Sequence, residues 1–347
     1  MNFRNKKLFF KHIKNPLMIA EISGNHNGKK SSLLNHIKYA AKAGADMIKI
    51  QTYEPKDITL KSKNKNFKIN SGIWRGKYLW DLYKKAHTPY QWHKDAFELA
   101  KKLNITLFST PFSHAAVDFL EELGNPIYKI ASFEITDLNL IDYVAKTKKP
   151  IIVSTGLSTI KEIKRAIKVI KKYHNNFAVL HCVSGYPTPE SETNVNSINF
   201  LKANLGKTCI GISDHTNDIN SSMAAVALGA KLVEKHFKIS NNVKSLDSKF
   251  SIDYEKFKEL SKRCKNIHNT LGNSIKRQSK SEKKSLFLRR SIFTSKNILK
   301  GSIITKKNIA CFRPKIGIGS EMYFKILGKK INKTKKKFTP IFQSDLK

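Results

Sequence analysis

The sequence predicts a (β/α)8 barrel followed by a small second domain. Three observations point there: short apolar runs that close in polar residues, helical periodicity between those runs, and a length of 347 residues, enough for a barrel and more. In order, the runs are Met18–Glu21, Met47–Gln51, Ile105–Thr110, Tyr128–Ser132, Ile151–Thr155, Ala178–Cys182, Ile210–Thr216 and Leu232–Phe237. Each has the length and composition of a strand buried on both faces. Between them the pattern turns helical. In Ile160, Ile163, Ile167 and Ile170 the apolar residues recur at three- and four-residue spacing, while Lys161, Lys164, Arg165, Lys168 and Lys171 fill the other face.

In such a barrel the chemistry lies at the carboxyl ends of the strands, and that is where this chain collects its polar residues. The first run closes in Glu21, the second carries Lys49 and Gln51, the fourth carries Lys129 and Ser132, and the fifth carries Ser154. Ser184 follows the sixth run and Ser213 lies in the seventh. Lysines act as point charges toward phosphate or carboxylate, and hydroxyls and loop amides complete an anion cradle. A plainer reading stays open, in which the lysines only neutralise Glu21, Glu134 or Glu234.

The seventh and eighth runs hold His215 and His236. Side chains alternate along a strand, so Ser213 and His215 share one face, as do Glu234 and His236. The alanine-rich stretch Ser222–Ala230 reads as the crossover helix that parallel neighbours require. The two imidazoles could then share one divalent cation. The alternative for either is a satisfied core histidine.

The formal net charge is +39 and the sequence pI about 10, which on its own would suggest nucleic acid or an anionic surface. The lysines, however, are spread over helix faces amid abundant asparagine and isoleucine, a mixture that AT-rich codons produce. The dense runs Lys280–Lys284 and Lys333–Lys337 lie outside the barrel without interleaved aromatics for base stacking. Specific nucleic-acid binding is therefore not expected; attraction of anionic substrates is. No apolar stretch suits a membrane span, and Met1–Asn15 has only Leu8-Phe9-Phe10 as an apolar run, too little for a signal-peptide core. The expectation is a cytoplasmic protein with no membrane partner. Cys182, Cys209, Cys264 and Cys311 form no close-spaced pairs, as expected of reduced thiols rather than a zinc knuckle or disulfide framework.

Several stretches resemble motifs of the sialic acid synthases: Ile19-Ala20-Glu21-Ile22-Ser23-Gly24-Asn25-His26-Asn27-Gly28, Ala43-Gly44-Ala45-Asp46-Met47-Ile48-Lys49-Ile50-Gln51-Thr52, Phe108-Ser109-Thr110-Pro111-Phe112 and Lys129-Ile130-Ala131-Ser132-Phe133-Glu134. So do Ser154-Thr155-Gly156, Ser213-Asp214-His215-Thr216 and Glu234-Lys235-His236-Phe237, all in family order. Farther on, Arg290-Ser291-Ile292-Phe293, Leu299-Lys300-Gly301 and Arg313-Pro314 resemble the small antifreeze-protein-like (SAF) domain of those enzymes. The implied organisation is a catalytic barrel over 1–270, a basic linker over 271–285 and the SAF domain over 286–347.

Within the family, Gln51-Thr52-Tyr53-Glu54-Pro55, Gly72-Ile73-Trp74, Leu79-Trp80-Asp81-Leu82-Tyr83, Ala86-His87-Thr88-Pro89-Tyr90-Gln91-Trp92-His93 and Phe133 resemble the pseudaminic acid synthase branch. The resemblance implies condensation of phosphoenolpyruvate with 2,4-diacetamido-2,4,6-trideoxy-L-altrose, an N-acetylated amino sugar. An aromatic loop from Trp74 to Trp92 suits the methyl groups of such a sugar, or else simply packs the long second loop. By the same resemblance, His215 and His236 hold a divalent metal, Mn2+ in the family. Glu21 and Glu134 are the catalytic carboxylates, and Lys49, Gln51, Lys129, Ser132, Ser154, Ser184 and Ser213 bind phosphoenolpyruvate. Asn25, Tyr186 and Asp247 contact the sugar, joined by Arg313 from the second subunit of a homodimer. The chain departs from the family pattern at Asp218, at Lys244-Ser245-Leu246 and at Lys315, where glycines are usual. Alternatives are an N-acetylneuraminate or legionaminic acid synthase and, from another class, a non-catalytic sugar- or nucleic-acid-binding protein.

Overall fold

The computed structural model describes residues 9–273 and 275–347. The start of the N-terminal stretch read for a signal peptide, and Ser274 in the expected linker, lie outside the described residues. Strands β1 (Leu17–Glu21), β2 (Met47–Thr52), β3 (Thr106–Pro111), β4 (Tyr128–Ile130), β5 (Ile151–Ser154), β6 (Phe177–Cys182), β7 (Cys209–Asp214) and β8 (Leu232–His236) close in sequence order into a parallel barrel. Each is followed by a main helix: α1 (Lys30–Lys42), α2 (Tyr90–Lys102), α3 (His114–Glu122), α4 (Leu138–Lys146), α5 (Ile160–Lys171), α6 (Ser197–Leu205), α7 (Asn220–Ala227) and α8 (Tyr254–Leu271). The expected (β/α)8 barrel is the fold.

Strand alternation divides the interior in two. Met18 and Ala20 of β1, Ile48 and Ile50 of β2, and Ile212 and Val233 of β7 and β8 join the apolar layer under the helices. The opposite set, Leu17, Ile19, Met47, Phe108, Ile152, Leu180 and Leu232, fills the barrel together with Phe9 and Phe10 from the turn Phe9–His12. Continuing that inward set by two residues reaches Glu21, Lys49, Thr110, Ser154, Cys182 and Glu234, and the same phase of β7, starting at Cys209, reaches Ser213. The floor is apolar and the mouth is ionic because one alternation phase runs out of apolar residues at the strand ends. Register aligns these groups: Glu21 pairs with Lys49 and with His236, and Ser213 pairs with Glu234.

The second βα loop is long and carries short helices at Pro55–Ile58 and Leu79–Ala86. Trp74 lies in this loop, but Trp92 is part of α2 and packs edge-on against His26 at 5.5 Å. The expected aromatic loop thus splits, with Trp92 in helix packing. No helix among the described residues is long and apolar enough to cross a membrane.

A second compact unit runs Asn273–Lys347. It has an antiparallel pair, β9 (Ser291–Thr294) and β10 (Ile309–Phe312), over a core of Ile292, Ile298, Ile304, Ile309, Ile318, Ile326, Ile331 and Ile341. The basic run Lys280–Lys284 is a short helix capped by Ser279 and Glu282.

Candidate active site

Glu234 is the hub of the barrel mouth. Its Oε1 lies 2.8 Å from Lys49 Nζ and 3.7 Å from Lys129 Nζ, and it accepts the Ser213 hydroxyl at 3.1 Å. Lys49 also faces Glu21 Oε2 at 2.9 Å, and Lys129 donates to Ser154 Oγ at 2.6 Å. All four charged groups are buried. Burial pushes the Glu234 carboxyl up, but Lys129 and Lys49 outweigh it and hold the group down at about 2. Burial lowers Lys49 to about 8, so the pair stays ionised at neutral pH. The lysines therefore do neutralise carboxylates, and they do so beside acceptors that keep unpaired oxygens. Glu21 Oε1, Glu234 Oε2, Glu134 Oε2 and Thr110 Oγ1 are buried without a hydrogen-bond partner, and Glu21 Oε2 meets Lys49 only out of hydrogen-bond alignment. Buried polar atoms left unpaired are costly unless a ligand completes them.

Beside Lys129 the turn Ser132–Glu134 presents two functions. Ser132 Oγ accepts the Gly156 amide at 3.1 Å, and Ser184 Oγ stands so close that a Cβ on Gly156 would be 2.0 Å from it. Two hydroxyls and a glycine amide thus converge in a notch. Burial raises Glu134 to about 7, only partly opposed by Lys129, so this carboxyl keeps its proton into neutral pH.

His215 and His236 face each other with ring centroids 5.4 Å apart. The Val183 carbonyl accepts from His215 Nδ1 at 2.8 Å, which leaves Nε2 as the nitrogen that could ligate a cation. His236 Nδ1 is buried with no partner, and burial together with His215 drives its pKa well below the usual value, so the ring is neutral. Burial works to lower the His215 pKa, but Cys182 and the Val183 carbonyl outweigh it and raise it, so that ring gives up its proton less readily than His236. Two facing imidazoles, one with an unpaired buried nitrogen, are a donor set that suits a divalent cation. Among the described residues no cluster of three or more His, Cys, Asp or Glu side chains surrounds one point, so the remaining ligands of such a cation would be oxygens from elsewhere.

Tyr186 covers this pair, its ring centroid 4.3 Å from His215, and it packs at a tilt against Trp74 at 5.8 Å and edge-on against Phe250 at 5.0 Å. Trp74 is anchored by its Nε1 donating to the Leu246 carbonyl at 3.3 Å.

A profile for the NeuB family matches residues 36–276. The chain belongs to the NeuB family. The pseudaminic acid synthase of Helicobacter pylori is 40% identical over 333 residues, spanning 95% of this chain and 98% of that protein. The N,N'-diacetyllegionaminic acid synthase of Campylobacter jejuni is 38% identical over 322 residues, spanning 91% of this chain and 96% of that protein. A crystal structure of the N-acetylneuraminic acid synthetase of Leptospira borgpetersenii in complex with citrate superposes with a TM-score of 0.71 at 31% identity, covering 79% of this chain and 91% of that one.

Two of the expected sugar contacts in this NeuB chain are engaged otherwise. Asn25 is fully buried, donates to the Phe237 carbonyl at 2.9 Å and to Ser251 Oγ at 2.8 Å, and accepts from Ser245 Oγ at 2.6 Å. Its amide ties the first loop to the last. Asp247 Oδ2 accepts the Gly24 amide at 2.8 Å, and its carboxyl also takes a hydrogen bond from Ser23. Gln51, at the end of β2, is partly exposed, and Arg313 is an exposed residue of the second unit. Sequence reasoning left out Thr110, which the inward alternation of β3 predicts two residues after Phe108, and Cys182, whose Sγ lies 3.8 Å from His215 Nδ1. A depression of about 1000 Å³ beside α8, lined by Lys238, Asn241 and Arg263 among others, includes none of the expected site residues.

Proposed function

We propose that this chain is a pseudaminic acid synthase, condensing phosphoenolpyruvate with 2,4-diacetamido-2,4,6-trideoxy-L-altrose and water to give pseudaminic acid and phosphate. The observation that carries the reading is a buried array of carboxylates and ammonium groups beside a hydroxyl notch, in a chain that matches a pseudaminic acid synthase over nearly its full length.

The methylene carbon of phosphoenolpyruvate forms a bond to the aldehyde carbon of the open-chain sugar. Water adds to the carbon bearing phosphate, and the carbon–oxygen bond to phosphate then breaks. Lys129, Ser154 and the Ser132–Ser184–Gly156 notch receive the phosphoryl and carboxylate oxygens, with Lys49, Gln51 and Ser213 beside them. Glu21, ionised beside Lys49 and with an oxygen free, takes the proton that water releases. Glu134 keeps its proton near neutrality and gives it to the aldehyde oxygen as that atom becomes a hydroxyl. A divalent cation, Mn2+ by resemblance, held by His215 and His236 would polarise the aldehyde. The Trp74–Tyr186–Phe250 wall presents an apolar surface to the sugar. Arg313, on the resemblance of its surrounding motif, completes the sugar site from the second subunit of a homodimer.

Phosphate release is the test, with phosphoenolpyruvate and each amino sugar offered in turn. The altrose-configured sugar should be used in preference to N-acetylmannosamine by about a hundredfold, since an apolar wall rejects an added hydroxyl only modestly. Preference for N-acetylmannosamine would move the chain to the neuraminate branch, and preference for the legionaminic acid precursor to that one.

A further inference from the structure

Behind the two histidines, on the faces of β7 and β8 that turn away from the barrel mouth, the structure buries a second ion pair. Asp214 and Lys235 are cross-strand partners in the register, and Lys235 Nζ lies 2.9 Å from Asp214 Oδ2, with both side chains all but inaccessible. The remaining bonds form a closed set. Lys235 Nζ donates to the Thr216 carbonyl at 2.7 Å and to Thr216 Oγ1 at 3.0 Å. Asp214 Oδ1 accepts the Thr216 amide at 2.9 Å, and Oδ2 accepts Ser222 Oγ of α7 at 2.6 Å.

These positions stand out in their layer. The residues around them that face the helices, Ile210, Ile212 and Val233, are apolar. Two charges withdrawn from water there gain little net stability, because an apolar pair of similar volume generally serves as well. Their value has to lie in geometry, and the chain order shows which geometry. Asp214 immediately precedes His215 and Lys235 immediately precedes His236. Lys235 grips Thr216 and Asp214, the residues on either side of His215. The backbone that launches one imidazole is therefore bolted to the residue that launches the other.

We propose that Asp214 and Lys235 are positioning residues whose buried ion pair sets the separation of His215 and His236 for a single divalent cation. The inference rests on the reading of the two histidines as the cation's protein ligands. Ser222 extends the clamp to α7, so the spacing is referred to the helical shell rather than to the two strands alone.

Mn2+ binding to the full-length protein, followed by the electron paramagnetic resonance signal of free Mn2+, tests the clamp. Thermal unfolding and phosphoenolpyruvate binding are measured on the same samples. The double variant Asp214→Asn/Lys235→Met should unfold near the parent temperature and bind phosphoenolpyruvate normally, yet bind Mn2+ at least about tenfold more weakly, the range for partners behind metal ligands. Ser222→Ala, a milder change for use if the double variant does not fold, should weaken Mn2+ severalfold with little change in unfolding. Lys235→Arg, which keeps the charge, should retain part of the affinity lost in Lys235→Met. Wild-type Mn2+ affinity in a folded double variant, or in Ser222→Ala where only that variant folds, would overturn the clamp. His215→Ala and His236→Ala serve as controls: if Mn2+ binds equally well without either imidazole, the reading of the histidines fails first, and the clamp falls with it.

Discussion

Gly156 and Ser184 occupy one space: a Cβ at Gly156 would lie 2.0 Å from the Ser184 hydroxyl and 2.8 Å from that of Ser132. The absence of a side chain is what lets two hydroxyls from separate βα loops meet at one amide. Gly156→Ala should therefore displace Ser184 and open the notch. The expected result is a rise in KM for phosphoenolpyruvate of at least about tenfold, equivalent to roughly 1.4 kcal/mol, with Mn2+ binding unchanged. An unaltered KM would remove the notch from the phosphoenolpyruvate site.

Glu134 ties stability to pH in a direction opposite to most carboxylates. Its pKa is raised from 4.5 to about 7 by burial, so between these values the folded state binds the extra proton, and stability falls as pH rises through that window. Glu134→Gln cannot ionise and should be more stable than the parent above pH 7, by about 1–3 kcal/mol. Below the unfolded value of 4.5 the two should converge. Urea midpoints across the pH range read this directly, and parallel curves would show that Glu134 is not held protonated. Turnover in the parent should fall as pH rises past neutrality, as a proton donor requires.

Glu234→Gln leaves Lys49 and Lys129 without their shared carboxylate. Breaking a buried pair from one side costs about 3–5 kcal/mol, and the loss should appear in denaturant melts at neutral pH. Because Glu234 is held at about 2, well below its usual 4.5, its contribution is present above 4.5 and disappears as pH falls toward 2. The difference between variant and parent should shrink over the same interval; a gap that persists at pH 2 would point to packing rather than charge.

Arg313 offers a test of subunit exchange. Alone, Arg313→Ala should weaken sugar use while sparing phosphoenolpyruvate binding, because a guanidinium grips oxygen pairs as lysine cannot. Mixed with Glu21→Ala chains, it should regain part of the lost turnover, since one barrel in a mixed dimer would possess both groups. No recovery in verified mixed dimers would place Arg313 outside the partner's site.

The barrel was legible because its strands are short, doubly buried and separated by helices of clear periodicity, and the inward phase could be counted from Glu21 to His236. Glu234 was readable as one of three carboxylates that the lysines could neutralise, but not as the one both would share. An acid in an apolar strand is visible in the sequence, but its place between Lys49 and Lys129 depends on strand order and register around a closed barrel, which local pattern does not encode. Asn25 and Asp247 show a second limit. Residue type marks them as hydrogen-bonding groups, yet whether a side chain serves a ligand or the loop backbone depends on contacts such as Asn25 to Phe237, across 212 residues. Trp92 read as loop with Trp74, and the helix beginning at Tyr90 decided otherwise.

The seam between β1 and β8 places Glu21 opposite His236, and 212 residues separate the neighbouring contact Asn25–Phe237. On a ribosome that adds roughly 5–20 residues per second, the first half of that seam waits about ten seconds or more for the second. Until then the nascent chain is an open sheet whose first strand is paired with β2 on one side only, its outer edge bare and its residues apolar up to Glu21. Glu21 and His236 are brought together only when the last strand docks. Recovery of turnover during refolding is thus a clock for ring closure, and it should lag behind any signal from the earlier βα units.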